Sequence, residues 1–251
     1  MIPKIIHYCW FSNSDYPEIV ERCISSWERF LPEWEFRLWD RASLDRIDAD
    51  WLQEALNCKE YAFAADYVRL YAVYHYGGFY LDTDVEVLKD FCSLTVFPYV
   101  FGLEDNHGLI QAATFGAEPG NLFIRKCLEY YDSRHFIKPD GLPDKAAVMP
   151  KIMQDILGTL PGTVKHLIDA ESFDPSEACM QILPVEYFSP KDHWSGKLTN
   201  MSQNTYSIHH GMASWVPWGK KVSLWVRRHI PDCISEPLFC LWSIIRPRPK
   251  Y

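Results

Sequence analysis

The spacing of hydrophobic and polar positions predicts alternating strands and helices in the first part of the chain. Residues 2–10 form a short apolar segment rich in isoleucine, which is typical of a strand. A helical pattern follows over residues 15–31, and residues 35–39 alternate between apolar and polar positions like a second strand. Residues 43–57 are predicted to form one or two short helices. This alternation favours an α/β fold in which helices pack on a mostly parallel sheet.

Residues 61–74, YAFAADYVRLYAVY, form the clearest helical pattern in the chain. Apolar residues occupy all sides of this helix, and a helix that is apolar all round is a buried helix. Its only two charged residues are Asp66 and Arg69, which lie three positions apart and are therefore neighbours on one side. The Gly77-Gly78 pair ends the helix and leads into an apolar strand at residues 79–81.

Beyond residue 90 the pattern is less regular and predicts shorter elements. The loop at residues 138–145, KPDGLPDK, holds two prolines and a glycine and is a candidate boundary between lobes or a mobile lid. In chain order we expect strands at 96–103 and 109–115, helices at 121–131 and 148–157, irregular chain up to 187, and a last strand at 205–208 that leads to His209 and His210.

The composition indicates a folded protein. With 251 residues, 48% of them hydrophobic, the chain can form one large α/β domain or two closely packed lobes. The net charge of -8 argues against a protein that coats nucleic acid. The first residues lack the basic and long apolar regions of a signal peptide, and no apolar run is long enough to cross a bilayer.

The cysteines suggest neither a zinc site nor a disulfide framework, because they are dispersed and form no CxxC pair. We expect mostly reduced core residues in a cytosolic protein. The eight positions are Cys9, Cys23, Cys58, Cys92, Cys127, Cys179, Cys233 and Cys240.

The segment at residues 220–251 differs from the rest of this acidic chain. It holds seven Lys or Arg residues and two acidic ones, interspersed with tryptophan, phenylalanine and isoleucine. A basic and aromatic segment of this kind suits a membrane surface. A terminal helix packed on the body, with its basic side in water, is an equally open alternative.

Two carboxylates follow the apolar strand at residues 79–81. Asp82 and Asp84 are separated by one residue, and in extended backbone their side chains would point the same way. Open α/β sheets bind ligands at the carboxyl ends of their strands. Paired carboxylates there suit Mg²⁺ or Mn²⁺, whose coordination is usually completed by substrate phosphates. Such a metal ion can neutralise the charge of a departing diphosphate. The alternative is a solvated turn with no ligand.

Two other enzyme classes use similar carboxylates. Phosphatases of the haloacid-dehalogenase type have Thr or Val at the fifth position of their DxDx motif, whereas this chain has Glu86. A glycosidase acid and base about 5 to 9.5 Å apart would leave the charges on the buried helix unexplained. Asp66 and Arg69 have two open interpretations, a mutual ion pair that only satisfies the core and a functional role.

Four motifs in this order resemble the bacterial members of glycosyltransferase family 32: IPKIIHYCWF, KEYAFAADYVRLYAVYHYGGFYLDTDVEVL, VEYFSPKD and TYSIHHGMASW. The long second motif also looks like the equivalent part of the large clostridial glucosylating toxins. The resemblance covers the chain up to about residue 221. It implies a GT-A type, Rossmann-like nucleotide-sugar-binding fold with a mostly parallel central sheet, a nucleotide-sugar donor, a divalent metal and retention of anomeric configuration.

The resemblance also implies roles for five residues. Asp84 would be a direct metal ligand, and Asp82 would hold the ribose, the donor sugar or a metal-bound water. Asp66 and Arg69 would reach the donor sugar and the diphosphate. Trp10, which follows the first strand, would lie against the nucleotide base.

The resemblance places further site residues near the end of the matched region. His209 and His210 stand where GT-A enzymes often supply a C-terminal metal ligand, and imidazole suits Mn²⁺. Because adjacent strand residues point in opposite directions, we expect only one of them, preferably His209, to face the metal. Ser214 and Trp215 match the family's SW pair, in which the indole N–H can donate to the β-phosphate.

The sequence thus predicts a metal-dependent retaining glycosyltransferase that uses Mn²⁺ or Mg²⁺. We expect it to move a sugar from a UDP-sugar to a saccharide or lipid-linked saccharide acceptor. The reaction would serve polysaccharide or glycolipid synthesis, such as that of a capsule. The alternatives are a GDP-mannose-dependent mannosyltransferase and a catalytically silent sugar-nucleotide-binding scaffold. We expect one domain over residues 1–251, with a nucleotide-sugar-binding half at 1–135, an acceptor-side half at 136–219 and the basic tail at 220–251. The expected location is the cytoplasm, with the tail at the inner face of the cell membrane as a further expectation.

Overall fold

A computed structural model describes residues 1–45, 47–105, 108–192 and 195–212 of the chain. The basic tail and the pair Ser214 and Trp215 lie outside these described residues. Among the described residues, none of the helices has both the length and the apolarity needed to cross a lipid bilayer.

The described part contains strands and helices that alternate along its first half. The strands are β1 (Ile5–Cys9), β2 (Glu35–Trp39), β3 (Gly78–Leu81), β4 (Val85–Val87), β5 (Tyr99–Val100), β6 (Thr114–Ala117), β7 (Val164–His166), β8 (Met180–Ile182) and β9 (Ser207–His209). The α-helices are α1 (Glu18–Phe30), α2 (Asp50–Asn57), α3 (Tyr61–Tyr76), α4 (Leu122–Glu129) and α5 (Met149–Leu157).

Within the described residues, the central sheet has five strands in the order β2-β1-β3-β6-β5. Strand β1 pairs in parallel with β2 and β3, and β6 pairs antiparallel with both β3 and β5. Four of the five strands therefore run in the same direction. The predicted α/β class with a mostly parallel sheet is confirmed.

Helix α3 is buried as its apolar sequence predicts, and even its charged residues Asp66 and Arg69 are only 8% and 5% exposed. The helix ends at Tyr76 and is capped by Gly77, and β3 begins with Gly78 in a left-handed conformation (φ +94°). A Cβ atom added to Gly78 would lie 2.6 Å from the Ile5 carbonyl oxygen. Glycine at this position therefore lets β3 approach β1 closely enough to pair.

Most predicted elements are present, but the second half of the sheet differs from the prediction. Residues 109–113 form no strand, and β6 begins later, at Thr114. Part of the backbone just before β6 bonds to side chains and not to a continuous ladder: the Ala112 carbonyl accepts from Arg69, and the Ala113 N–H donates to Gln111 Oε1. The segment before residue 187 was predicted to be irregular, which is wrong in part, since β7 and β8 form a small parallel pair there.

The loop at residues 138–145 is tied to the first half of the chain. Glu60 forms an ion pair with Lys145, and the Glu54 carboxylate accepts from the Ile137 N–H at 2.9 Å. Its role as a lobe boundary or lid stays a prediction.

All six cysteines in the described part are free thiols. Only Cys23 and Cys127 are buried; Cys58 is exposed and the other three are partly exposed. Because Cys9 and Cys92 pack against the core, the expectation that the cysteines are mostly core residues is confirmed for four of the six described and wrong for Cys58 and Cys179.

Candidate functional site

The two aspartates after β3 lie in a turn and not in extended backbone. Strand β3 ends at Leu81 and β4 begins at Val85, while the Val85 N–H donates to the Asp82 carbonyl across the turn at 3.0 Å. The Asp82 N–H donates to the Ala113 carbonyl at 2.9 Å, which holds the turn against the segment before β6. The two side chains lie close together as expected, but the turn at residues 82–84 brings them together and strand alternation does not.

A third side chain reaches these aspartates from near the end of the described chain. Strand β9 pairs antiparallel with β4 and places His209 opposite Val85. His209 Nε2 lies 3.5 Å from Asp84 Oδ1. One potential ligand atom each from Asp82, Asp84 and His209 lies within 4.8 Å of the other two. We call these three residues the Asp-Asp-His cluster.

Asp84 and His209 stabilise each other's charged forms. Burial raises the pKa of the Asp84 carboxyl, but the His209 imidazole and the Met212 N–H, which donates to Asp84 Oδ2 at 2.7 Å, hold that pKa well below its usual range. Burial also lowers the pKa of His209, whereas the Asp84 carboxylate raises it, and the net pKa is about 9. The two groups therefore form an ion pair at neutral pH.

The donor set of the Asp-Asp-His cluster fits a divalent cation. Two carboxylates and one imidazole supply hard oxygen atoms and a nitrogen atom, a combination that suits Mn²⁺ and is also compatible with Mg²⁺ held together with substrate phosphates. A cation could replace the proton of His209 as the positive partner of Asp84. The residues present therefore fit the metal that the sequence resemblance implies.

Arg69 connects the buried helix α3 to this cluster. Its Nη2 atom lies 3.0 Å from Asp66 Oδ1 and 3.3 Å from Asp82 Oδ1. Its Nη1 atom donates to the Ala112 carbonyl at 2.7 Å, and its guanidinium lies 4.7 Å from the centre of the Tyr80 ring. The ion pair with Asp66, one of the two open interpretations, is present. Arg69 also contacts Asp82 in the turn at residues 82–84, which we call the DXD turn.

Burial and neighbouring charges have opposite effects on the pKa values of Arg69 and Asp66. Burial raises the pKa of Asp66 to about 7, against the opposing effect of the Arg69 charge. Burial lowers the pKa of Arg69, but Asp82, Tyr80 and Asp66 raise it above its ordinary value. Arg69 is therefore a fixed cation, and Asp66 is easier to protonate than an exposed aspartate.

Trp10 lies beside a cavity at the same edge of the sheet. The cavity has a volume of about 330 Å³ and is lined by residues that follow β1 and by the end of β2 with the residues after it, among them Asp40 and Arg41. The Trp10 indole donates to the Ser14 carbonyl at 3.1 Å and meets the Tyr16 ring edge-on. Since Trp10 follows β1 and Asp82 follows the adjacent parallel strand β3, both belong to the edge where open α/β sheets bind ligands.

The structure separates the two adjacent histidines. His209 belongs to the Asp-Asp-His cluster, whereas His210 Nε2 lies 2.8 Å from Glu86 Oε2. His210, which the sequence left as a candidate ligand, is therefore not part of the cluster. The roles predicted for Ser214 and Trp215 fall on residues outside the described part of the chain.

Two residues near the cluster were not singled out from the sequence. The Tyr80 hydroxyl donates to Asp82 Oδ1 at 2.8 Å, and its position two residues before the aspartate could have suggested that the two side chains lie on one side of the chain. Burial raises the pKa of Glu104, which interacts electrostatically with His209 and Asp82. No short-range sequence signal connects Glu104 to these residues.

Comparison with known proteins gives results consistent with this site. The family model for a glycosyltransferase sugar-binding region containing a DXD motif matches residues 17–101. Inositol phosphoceramide mannosyltransferase 2 of Schizosaccharomyces pombe is 30% identical over 252 aligned residues, which cover 98% of this chain and 67% of that protein. Inositol phosphoceramide mannosyltransferase 3 of the same yeast is 33% identical over 104 residues, or 39% of this chain and 28% of that protein.

Among solved structures, the PaToxG glycosyltransferase is similar with a TM-score of 0.46 and 18% sequence identity, over 62% of this chain and 69% of that chain. The curated relatives named above are fungal, whereas the sequence resemblance pointed to bacterial proteins. A bacterial origin stays a prediction.

Proposed function

The chain belongs to the glycosyltransferases whose sugar-binding region contains a DXD motif, and from that premise we propose that it transfers a sugar from a nucleotide-sugar donor to an acceptor hydroxyl with the help of a divalent cation. One observation carries this proposal: Asp82, Asp84 and His209 converge next to Arg69 at the ligand-binding edge of the sheet. Carboxylates, an imidazole and a guanidinium in one place provide a cation site and a fixed positive charge for a sugar diphosphate.

We assign the diphosphate to the space between the Asp-Asp-His cluster and Arg69. Mn²⁺ or Mg²⁺ held by the cluster would supply electrostatic stabilisation of the negative charge on the departing diphosphate. Arg69 would contribute a second, permanent charge, which Asp66 and the Ala112 carbonyl hold in place. Asp66 and Asp82 would accept hydrogen bonds from hydroxyl groups of the donor sugar or ribose.

The nucleotide base is assigned to the cavity beside Trp10. The indole offers an aromatic face and the cavity lies at the end of β1, next to the strand that delivers Asp82. Stacking of a base on an aromatic side chain contributes roughly 1–3 kcal/mol. Ser214 and Trp215 keep the diphosphate-binding role that the sequence resemblance implies for them.

We propose that transfer retains the anomeric configuration. The acceptor oxygen would form its bond to C1 of the sugar on the face from which the diphosphate departs, while the bond between C1 and the phosphate oxygen breaks. The acceptor hydroxyl proton would pass to that phosphate oxygen. A comparison of product and donor anomers by NMR tests this step, and an inverted product would contradict it.

The names of the relatives favour particular classes of donor and acceptor. The names of two relatives favour transfer of mannose, which GDP-mannose would supply, to inositol phosphoceramide or a similar inositol-containing lipid. A UDP-sugar is the other donor class that the sequence resemblance supports. Thermal-shift measurements with Mn²⁺ and each nucleotide sugar, GDP-mannose and UDP-glucose among them, should show one stabilising donor; equal stabilisation by all of them would contradict donor selectivity.

A catalytically silent scaffold is the second candidate from another class. The retention of Asp82, Asp84, Asp66 and Arg69 in contact geometry argues for an active enzyme. Turnover distinguishes the two: the enzyme should release nucleoside diphosphate slowly in the presence of Mn²⁺ and stop when EDTA is added. Tight donor binding without turnover on any acceptor would favour the scaffold.

We also propose that the basic tail at residues 220–251 brings the enzyme to the cytoplasmic membrane surface, where a lipid-linked acceptor would be present. The support is its excess of Lys and Arg residues among aromatic ones. Vesicles that contain roughly 30% anionic lipid should capture the full chain in a sedimentation assay, and high salt should release it. Capture by neutral vesicles alone would contradict an electrostatic contact.

A further inference from the structure

The two adjacent histidines at the end of β9 contact different acidic residues. His209 Nε2 lies 3.5 Å from Asp84 Oδ1, and His210 Nε2 lies 2.8 Å from Glu86 Oε2. Because successive side chains of a strand alternate between its two faces, one register of β9 can present only one of these histidines to the DXD turn.

The ribbon formed by β4 and β9 is too short to fix that register by its backbone bonds alone. It consists of three residue pairs, Val85 with His209, Glu86 with Ile208, and Val87 with Ser207. A two-stranded ribbon is marginally stable by itself. A slip of β9 by one residue would keep most backbone pairing but exchange the faces of every side chain, and His210 would then replace His209 at the cluster.

We propose that Glu86 and His210 form a positioning pair, whose contact fixes the register of β9 against β4 and thereby presents His209, and not His210, to Asp82 and Asp84. The pair lies close to the cluster but is separate from it. The part of this inference that concerns metal binding rests on the proposed function, whereas the part that concerns the register does not.

Contacts around the pair support a fixed arrangement. The His210 N–H donates to the Asp84 carbonyl at 3.0 Å, so the same residue that contacts Glu86 also bonds to the DXD turn. Lys191 Nζ lies 3.4 Å from both His210 Nδ1 and the His210 carbonyl oxygen. Arg22 Nη2 lies 3.9 Å from Glu86 Oε2. Lys191 and Arg22 thus place a positive charge on either side of the pair formed by His210 and Glu86.

Partial burial makes the pair more effective than a surface ion pair. The side chains of His210 and Glu86 are 16% and 27% exposed. A hydrogen bond with limited access to water is stronger than a fully solvated one, and leaving one partner without the other is costly. Residues that orient metal ligands from behind typically change metal affinity by roughly 10- to 100-fold when removed.

The first test measures binding of Mn²⁺ alone, by the EPR signal of the free ion. We expect Glu86→Ala and His210→Ala each to weaken Mn²⁺ binding by about tenfold or more, and Glu86→Gln, whose amide oxygen can still accept from His210, to retain most of the affinity. Glu129→Ala is the matched control, because Glu129 forms ion pairs with Arg125 and Lys126 on the surface of α4.

A double variant distinguishes positioning from general destabilisation. If the pair acts through His209, then Glu86→Ala should cause no further loss of Mn²⁺ affinity in a His209→Ala background. An equal loss in both backgrounds, or wild-type affinity in Glu86→Ala, would overturn the proposal.

The second test does not depend on metal. Hydrogen exchange measured by NMR should be about tenfold faster in Glu86→Ala than in the wild type at the amides of His210 and Leu88, which donate to Asp84 and Tyr206 across the ribbon. The Glu129→Ala control should exchange like the wild type. A wild-type protein that binds no Mn²⁺ would contradict the proposed function, while unchanged exchange in Glu86→Ala would overturn the positioning pair itself.

Discussion

Arg69 Nη2 lies 3.3 Å from Asp82 Oδ1, so the buried helix α3 and the DXD turn are joined by an ion pair. The same guanidinium also contacts Asp66 and the Ala112 carbonyl. A planar group with several donors is held on three sides in this way, and its direction toward the site is fixed before any ligand binds.

Replacement of Arg69 by lysine should therefore impair the enzyme although the charge is kept. A lysine has a single ammonium group and cannot contact Asp66, Asp82 and the Ala112 carbonyl together. We expect kcat/KM to fall by at least about 100-fold, in the range found when one oxyanion-stabilising group is lost. The control is Arg125→Lys, in an exposed pair with Glu129, which should leave kcat/KM unchanged. Near-wild-type kinetics for Arg69→Lys would show that the geometry of the guanidinium does not matter.

Replacement of Asp84 by asparagine should abolish Mn²⁺ binding and also lower stability without metal. The Asp84 carboxylate faces His209 and accepts from the Met212 N–H, and an amide would lose the ion pair with its buried partner. Removing one member of a buried ion pair costs about 3–5 kcal/mol, and this pair keeps some exposure, so we expect about 2 kcal/mol in the free energy of unfolding. Urea denaturation in the presence of EDTA measures this loss of stability. A variant as stable as the wild type would contradict the ion pair.

The stability of the protein should depend on pH through His7. This residue is fully buried, accepts from the Trp39 indole N–H at 3.1 Å and lies 2.9 Å from the Gly77 carbonyl oxygen. Burial lowers the pKa of His7 to about 4, against 6.5 for an ordinary histidine. Below pH 6.5 the unfolded chain therefore binds the proton more readily, and stability falls as the pH decreases toward 4.

The size of this effect can be isolated with His7→Gln, whose amide can make both hydrogen bonds without titrating. Between pH 6.5 and pH 5 the wild type should lose about 1.6 kcal/mol relative to the variant, because the loss approaches 1.36 kcal/mol per pH unit only well below pH 6.5. The comparison with the variant is needed because burial raises the pKa of Asp66 to about 7. Asp66 therefore makes the protein more stable as the pH falls through this range, which is opposite to the effect of His7. Parallel curves for the two proteins would contradict a neutral buried His7.

Replacement of Trp10 should weaken binding of the nucleotide but not binding of the cation. Trp10→Ala should weaken binding of the nucleoside diphosphate by roughly 10- to 100-fold, which corresponds to about 1–3 kcal/mol of stacking. Trp10→Phe should retain part of the affinity. Calorimetry with UDP and GDP in the presence of Mn²⁺ measures this, and EPR should find Mn²⁺ affinity unchanged. Equal nucleotide affinity in Trp10→Ala would place the base elsewhere.

The sequence predicts the first half of the fold well because its signals are local. Helix α3 is apolar on all sides and is followed directly by two glycines, so both its burial and its end can be predicted from neighbouring residues. Strand β2 matches its predicted bounds because apolar and polar residues alternate regularly there. The ion pair of Asp66 and Arg69 also follows from their spacing on the helix.

The sequence gives less information where long-range contacts decide the structure. Strand alternation predicts the wrong backbone for Asp82 and Asp84, because the hydrogen bond that closes the turn and the contact with Ala113 outweigh the local pattern. Short strands such as β7 and β8 have too few residues for a clear period. Which of His209 and His210 joins the cluster depends on the pairing of β9 with β4, and only the folded structure contains that information.

The most direct test of the proposed cation site is anomalous diffraction at the manganese absorption edge from crystals soaked in Mn²⁺ and a nucleoside diphosphate. We predict a single strong peak between Asp84 and His209 that also contacts oxygen atoms of the diphosphate, with the base beside Trp10. A peak elsewhere, or no peak while Asp84 and His209 keep their ion pair, would contradict the proposed cation site.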